Sequence, residues 1–109
     1  MAYDEGHATL MREALQDVDG ISEKKMFGGL CFLLYGNMIC GVHKDGGMAR
    51  IGKAAEPAAL KIEGVDPLSF TGRPMGGMVD LSEDLLGDDT RRTQIVAMAL
   101  TYARSLPPK

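Results

Sequence analysis

Residues 24–43 contain the longest apolar stretch of the chain, and the pair Gly36-Asn37 divides it into two segments rich in strand-forming residues. Two apolar segments separated by two turn-forming residues are typical of a tight β-hairpin, in which Gly36 takes the positive φ of a type II′ turn. The predicted strands cover residues 30–35 and 38–43. In this register Leu33 pairs with Cys40, and the hairpin lies at the centre of a sheet that helices cover.

Shorter patterns on either side of the hairpin predict the other elements. Apolar positions at helical spacing predict a first helix over residues 4–18 and a last helix that starts at 88–90 and stops at Pro107-Pro108. Asp66-Pro67 predicts a turn. The further predicted elements are strands over 22–27 and 48–52, a final strand or pair of short strands over 75–81, and a short helix over 56–62. We therefore expect one domain over residues 1–109, an α+β fold of two layers whose antiparallel sheet has about five strands and three helices.

Both faces of the predicted hairpin are apolar. An antiparallel sheet with one face in water should alternate apolar and polar residues, and this hairpin does not. The helices of so short a chain would cover a single face, so a second copy of the chain or a partner protein is expected to bury the other. A loop that folds over this face is the alternative. The predicted faces are Cys31, Leu33, Tyr35, Met38, Cys40 and Val42 on one side and Leu30, Phe32, Leu34, Ile39, Gly41 and His43 on the other.

Charge and terminal sequence limit the classes of function. The chain of 109 residues has a net charge of −3, which argues against an extended nucleic-acid surface. The N-terminus lacks the basic and apolar regions of a signal peptide, and no run reaches the roughly 18 apolar residues of a membrane span. We expect a cytoplasmic protein without a membrane segment.

The residues that could carry chemistry form no recognised motif. In the predicted register Cys31 and Cys40 are diagonal neighbours about 7–8 Å apart, which predicts free, buried thiols rather than a disulfide. The two histidines, His7 and His43, lack the spacing of a helical zinc site. No serine lies in a nucleophile elbow, and the Gly28-Gly29 and Gly76-Gly77 pairs indicate bulges or close backbone approach rather than a phosphate cradle. We expect no catalytic, metal or cofactor site, and hence no enzyme.

Several residues carry a resemblance to a known family. Lys25-Met26-Phe27-Gly28-Gly29, the apolar strand after it, Gly36-Asn37-Met38 and Gly41-Val42 resemble the N-terminal domain of the TfoX/Sxy family. Segments 70–75 and 103–107 resemble stand-alone members. The resemblance implies an α+β fold similar to that of type III secretion chaperones, which commonly dimerise, and a bacterial origin. Full-length members regulate natural competence through transcription factors and have a second, helical domain that these 109 residues do not contain. The resemblance supplies no catalytic residue.

The leading hypothesis is a non-catalytic regulatory domain that dimerises or binds a protein partner through its sheet, with the transcription machinery as one candidate partner. The alternative is a transcription co-regulator that associates weakly with nucleic acid. The cations that would make this contact are Lys24, Lys25, Arg50 and Arg73. A small enzyme acting on an anionic substrate has the least support. The predicted interaction residues are Phe32, Leu33, Tyr35, Met38 and Val42 for apolar contact and Arg50 and Arg73 for orientation.

Overall fold

The computed structural model of the protein describes residues 3–26, 29–70 and 73–107, and the side chains of 26, 69, 70 and 73–75 lie outside this description. Residues 27–28 and 71–72, which carry parts of the motifs quoted above, therefore lie outside the described part. Within it the chain forms six strands, four α-helices and one 3-10 turn. In chain order these are α1 (Glu5–Leu15), β1 (Ile21–Met26), β2 (Gly29–Leu34), β3 (Asn37–His43), β4 (Gly46–Arg50), the 3-10 turn (Lys53–Ala55), α2 (Glu56–Leu60), β5 (Val65–Phe70), β6 (Arg73–Leu81), α3 (Glu83–Leu86) and α4 (Asp89–Arg104).

The strands form one open antiparallel sheet in the order β1-β2-β3-β4-β6-β5. The α+β class is confirmed, with six described strands in place of about five and four described helices in place of three. The predicted turn at Asp66-Pro67 is wrong, because both residues lie within β5. A proline is tolerated there because β5 is an edge strand, where an N–H is not needed on the outer side.

The two long helices begin where the sequence predicts. The Asp4 carboxylate accepts the backbone N–H of Gly6 at 2.7 Å and caps α1. Asp88 caps α4 in the same way by accepting the N–H of Arg91 at 3.1 Å. Such caps satisfy backbone donors that have no partner within the helix. In the described residues, no helix has the length and apolar character needed to cross a membrane.

The central hairpin exists, but its predicted register is wrong. The two-residue loop is Tyr35-Gly36, and Leu34 pairs with Asn37. Both loop residues have positive φ, 48° at Tyr35 and 88° at Gly36, as a type I′ turn requires and a type II′ turn does not. Asn37 is therefore the first residue of β3, and its side-chain amide donates a hydrogen bond of 2.9 Å to the carbonyl of Pro107.

A bulge in β3 changes the register again. Leu33 pairs with Met38 and Phe32 pairs with Cys40, so Ile39 is an extra residue on its strand. Beyond the bulge Cys40 and Val42 lie on the same face as Phe32, and all three belong to the core beneath the helices. The prediction that Cys40 and Val42 share a face with Cys31 and Leu33 is therefore wrong.

The helices all contribute to one core on one face of the sheet. Residues from α1, α2, α3 and α4 pack there against alternate residues of the strands, including Leu30, Phe32 and Ile39. The residues between them lie on the opposite face, which we call the open face. A second, smaller apolar cluster of buried Cys31, Met48 and Leu68 lies on it. The prediction that both faces of the hairpin are apolar is confirmed.

Phe32 and Leu33 provide a direct test of this division, because they are neighbours on opposite faces. Phe32 is 1% exposed in the helix-side core, whereas Leu33 is half-buried on the open face. Phe32→Ala should lower the free energy of unfolding by about 3–5 kcal/mol through lost burial and a cavity. Leu33→Ala, the matched control, should cost less than half as much. Denaturant unfolding measures both, and an equal or reversed order would contradict the register.

Candidate functional site

The open face has a continuous row of paired residues that crosses all six strands. Each residue of this central row is opposite the next in the strand pairing. One end of the row is basic, its middle is apolar, and its other end is acidic. From the edge strand β1 to the edge strand β5 the central row is Lys24, Cys31, Gly41, Met48, Asp80 and Asp66.

The middle of the central row is covered by methionine. A Cβ built on Gly41 would lie 3.3 Å from Met48 Cε, 3.3 Å from Cys31 Sγ and only 2.8 Å from the Leu30 carbonyl oxygen. The missing side chain at Gly41 therefore lets Met48 lie close to the sheet and cover the thiol. This explains why Cys31 is 0% exposed on a face opposite the helices. Half-buried Met38 and Met78 pack against the same cluster.

Both cysteines are free and buried, as the sequence predicts. They lie on opposite faces, Cys31 in the open-face cluster and Cys40 in the helix-side core. Burial raises the pKa of each thiol above its ordinary value. Because the thiolate is the reactive form, this environment favours inert structural cysteines over nucleophiles.

His43 fixes the acidic end of the central row. Its Nδ1 accepts the backbone N–H of Asp45 at 3.1 Å, so in the neutral ring the proton lies on Nε2. That nitrogen lies 2.9 Å from Asp80 Oδ1 and 3.0 Å from the Gly47 carbonyl oxygen, to which it can donate. The imidazole is thus used in structural contacts. In the part of the chain that the structure describes, no three His, Cys, Asp or Glu side chains are grouped closely enough to hold a metal ion.

The structure separates the apolar residues predicted for interaction. Leu33 and Met38 are paired on the open face, as the hypothesis requires. Phe32 and Val42, each 1% exposed, are buried beneath the helices and cannot touch a partner in this fold. The error follows from the register, because the shorter turn and the bulge move these side chains to the helix side. Tyr35 lies in the turn and is 54% exposed, away from the cluster.

The predicted cations do not converge on one surface. Lys24 pairs with Cys31 on the open face, whereas Lys25 pairs with Leu30 and so projects to the helix side. The Arg50 guanidinium stacks over the Tyr102 ring, 5.4 Å from its centre. Arg73 begins β6, and its side chain lies outside the described residues. Among the described cations, the geometry does not build the basic surface that nucleic-acid binding needs.

Two grooves lie elsewhere on the described surface. One of about 450 Å³ lies between Ile51, Lys53, Met98 and Tyr102, and one of about 360 Å³ adjoins Tyr35 and Asn37. Among their described lining residues there is no cysteine, histidine or pair of carboxylates. The Gly76-Gly77 pair serves close backbone approach, since the Gly77 carbonyl accepts the N–H groups of Ile51 and Gly52. These features suit structural roles better than catalysis.

Sequence reasoning missed half of the open face. Met48, Leu68 and Met78 were not among the predicted interaction residues, nor were the charged ends Lys24 and Asp66 of the central row taken together. The high number of methionines, eight in the chain, was the available signal, because methionine adapts to irregular apolar surfaces. The charged ends become visible only when the strand order is known.

The fold and the open face define a small α+β domain in which helices cover one side of an antiparallel sheet and a methionine-rich cluster lies on the other. The family model described as the TfoX N-terminal domain matches residues 13–103, and the chain belongs to this family. The match extends from within α1 to within α4 and includes all six described strands. Searches of the curated proteins and of the solved structures gave no match.

The cover over Cys31 can be tested by thiol labelling. We expect both cysteines of the native protein to resist a maleimide reagent at neutral pH, since both are 0% exposed. Met48→Ala should expose Cys31 and leave Cys40 protected, which mass spectrometry of the labelled peptides can measure. Met11→Ala is the matched control, because Met11 lies in the helix-side core. Faster labelling of Cys40 than of Cys31 in Met48→Ala would contradict the assignment of faces.

Proposed function

We propose that this protein is a non-catalytic regulatory domain that binds a protein surface through its open face. The observation that carries the proposal is the apolar cluster of Cys31, Met48 and Leu68 on the side of the sheet opposite the helices. Met38 and Met78 pack against this cluster, and Leu33 pairs with Met38 on the same face. All three are half-buried, so part of each side chain is accessible to a partner. The cluster residues themselves are already buried, so a partner would remove from water the exposed parts of Leu33, Met38 and Met78. Such apolar burial is the main favourable term in protein association.

The edges of the sheet favour binding by the face over binding by strand addition. The edge strand β1 has exposed Lys24 and Lys25, and the edge strand β5 has exposed Asp66 and Pro67. Charged residues and proline on edge strands hinder the pairing of a further strand. The open face is therefore the apolar surface best suited to a partner.

The family supports a regulatory role. Membership of the TfoX N-terminal domain family is the basis for proposing a bacterial, cytoplasmic regulator related to competence control, with the transcription machinery as a candidate partner. The proposed similarity to type III secretion chaperones is compatible with a sheet that serves association. The raised pKa of both thiols and the structural use of His43 support the non-catalytic proposal.

Nucleic-acid association is a weaker candidate. It would use cations that the strand pairing separates, since Lys24 and Lys25 lie on opposite faces. The net charge of −3 adds long-range repulsion from phosphate. The geometry supports a co-regulator that acts through protein contacts better than one that binds nucleic acid directly.

A charged residue on the apolar part of the open face tests the proposal. We expect the wild type to increase in mass with concentration in sedimentation equilibrium or to capture another protein from a lysate. Leu33→Asp should abolish this association, because an unpaired carboxylate would be buried in the interface. Leu60→Asp is the matched control, since Leu60 is 37% exposed in α2 and lies away from the open face. Leu33→Gln is a milder second variant in case Leu33→Asp does not fold. Circular dichroism shows whether each variant is folded.

The proposal would be contradicted if folded Leu33→Asp and Leu33→Gln kept every association of the wild type. A wild-type protein that stays monomeric and captures no protein from a nuclease-treated lysate would contradict it as well.

A further inference from the structure

We infer that the open face binds the same face of a second copy of this chain, in a two-fold arrangement whose axis runs along the strands. The inference rests on the proposed function, because it names the occupant of the docking surface. It depends on the order of charges along the central row and on the strand order of the sheet.

The central row has opposite charges at its two ends. Lys24 on β1 is exposed at one edge, and exposed Asp66 on β5 is at the other, next to Asp80. With strands about 4.8 Å apart, five intervals place the backbones of Lys24 and Asp66 about 24 Å from each other. The two side chains therefore cannot pair within one chain. Among the described residues, neither of them takes part in an intrachain ion pair.

A two-fold axis along the strands brings these ends together. Such an axis lies in the interface above the gap between β3 and β4, at the middle of the sheet. The rotation reverses the strand order of the second copy relative to the first. Each residue keeps its position along the strand direction. The strand order then puts β1 of one copy over β5 of the other and β2 over β6. Lys24 of each copy meets Asp66 of the other, so the dimer contains two equivalent ion pairs. This self-complementarity is what a two-fold interface requires.

The same axis also joins the apolar residues. It places Leu33 on β2 over Met78 on β6 of the second copy, and Gly41 on β3 over Met48 on β4. Met38 on β3 lies at the level of Arg50 on β4 of the second copy. Flexible methionine side chains can interdigitate without an exact fit, and sheets pack face to face about 10 Å apart with nearly aligned strands. Burial of the exposed parts of Leu33, Met38 and Met78 of both copies supplies the apolar part of the interface.

The charges disfavour a two-fold arrangement whose axis is perpendicular to the strands. An axis in the interface but perpendicular to the strands would place each strand over its own copy. Lys24 would then approach Lys24, and the acidic ends would approach each other. Like charges that face each other across packed strands are unfavourable, so the charge pattern selects the axis along the strands.

The size of the face sets the expected affinity. A face about 24 Å wide and about 17 Å long gives roughly 800 Å² of projected area over the two copies, which is below the size of standard stable interfaces and in the range of weak, transient ones. We therefore expect a dissociation constant in the micromolar range, with weaker dimerisation at high salt because the ion pairs lie at the rim.

Charge reversal with complementation tests the inference. Lys24→Glu and Asp66→Lys, each alone, should weaken self-association at low salt by at least about tenfold, because two attractive pairs become repulsive. An equimolar mixture of the two variants should restore wild-type affinity, because both ion pairs of the mixed dimer are again attractive. Sedimentation velocity with a fluorophore on one variant measures the mixed dimer directly.

Lys25→Glu is the matched control. It makes the same charge change on the same strand but projects to the helix side, so it should leave the dimer unchanged. Equal weakening by Lys25→Glu, or a mixture that stays monomeric, would overturn the inference.

The inference and the proposed function fail in different ways. If the wild type is monomeric up to millimolar concentration while Leu33→Asp abolishes the capture of another protein, the second copy is excluded and the docking face stands. If the protein dimerises but folded Leu33→Asp leaves both the dimer and every capture of another protein intact, the open face is excluded and both fail.

Discussion

The pairing of β2 with β3 determines which side chains meet the helices and which form the open face. Side chains alternate along a strand, so a slip of one residue would exchange the two sets. Both sets are apolar here, and hydrophobicity alone does not choose between them. The choice is made by backbone features: the turn at Tyr35-Gly36, in which both residues have positive φ, and the bulge at Ile39. The hydrogen bond from Asn37 to Pro107 then ties the start of β3 to the chain after α4.

The open face owes its character to a contrast between small and flexible residues. Gly41 leaves room above the sheet, and Met48 occupies it and covers Cys31. The cluster is thus apolar, and its flexible methionine side chains can adjust to the surface of a bound protein. The charges at the two edges are too far apart to pair within one chain, and in the proposed dimer they would orient the two copies. In this account apolar burial supplies affinity, and the charged ends fix the orientation.

Local signals made much of the fold predictable, whereas long-range pairing did not. Asp4 and Asp88 are capping residues whose effect is confined to a single turn, so both long helices were predicted near their true starts. The edge strand β5 was missed because Pro67 reads as a turn unless the strand is known to lie at an edge. The open face was predicted only in part, because it also depends on long-range strand pairing. Leu33 and Met38 were assigned to it, but Phe32 and Val42 were misplaced because the register depends on backbone conformations that residue type does not specify.

The most direct test of the docking face is a mixture of copies labelled with carbon-13 at the methionine methyl groups and unlabelled copies. An isotope-filtered nuclear Overhauser experiment then reports which methyl groups touch the other copy. The account predicts intermolecular contacts for Met38, Met48 and Met78 on the open face. It predicts none for Met11, in the helix-side core, or for Met98 on α4. Contacts at Met98 without contacts at the three open-face methyl groups would contradict the account.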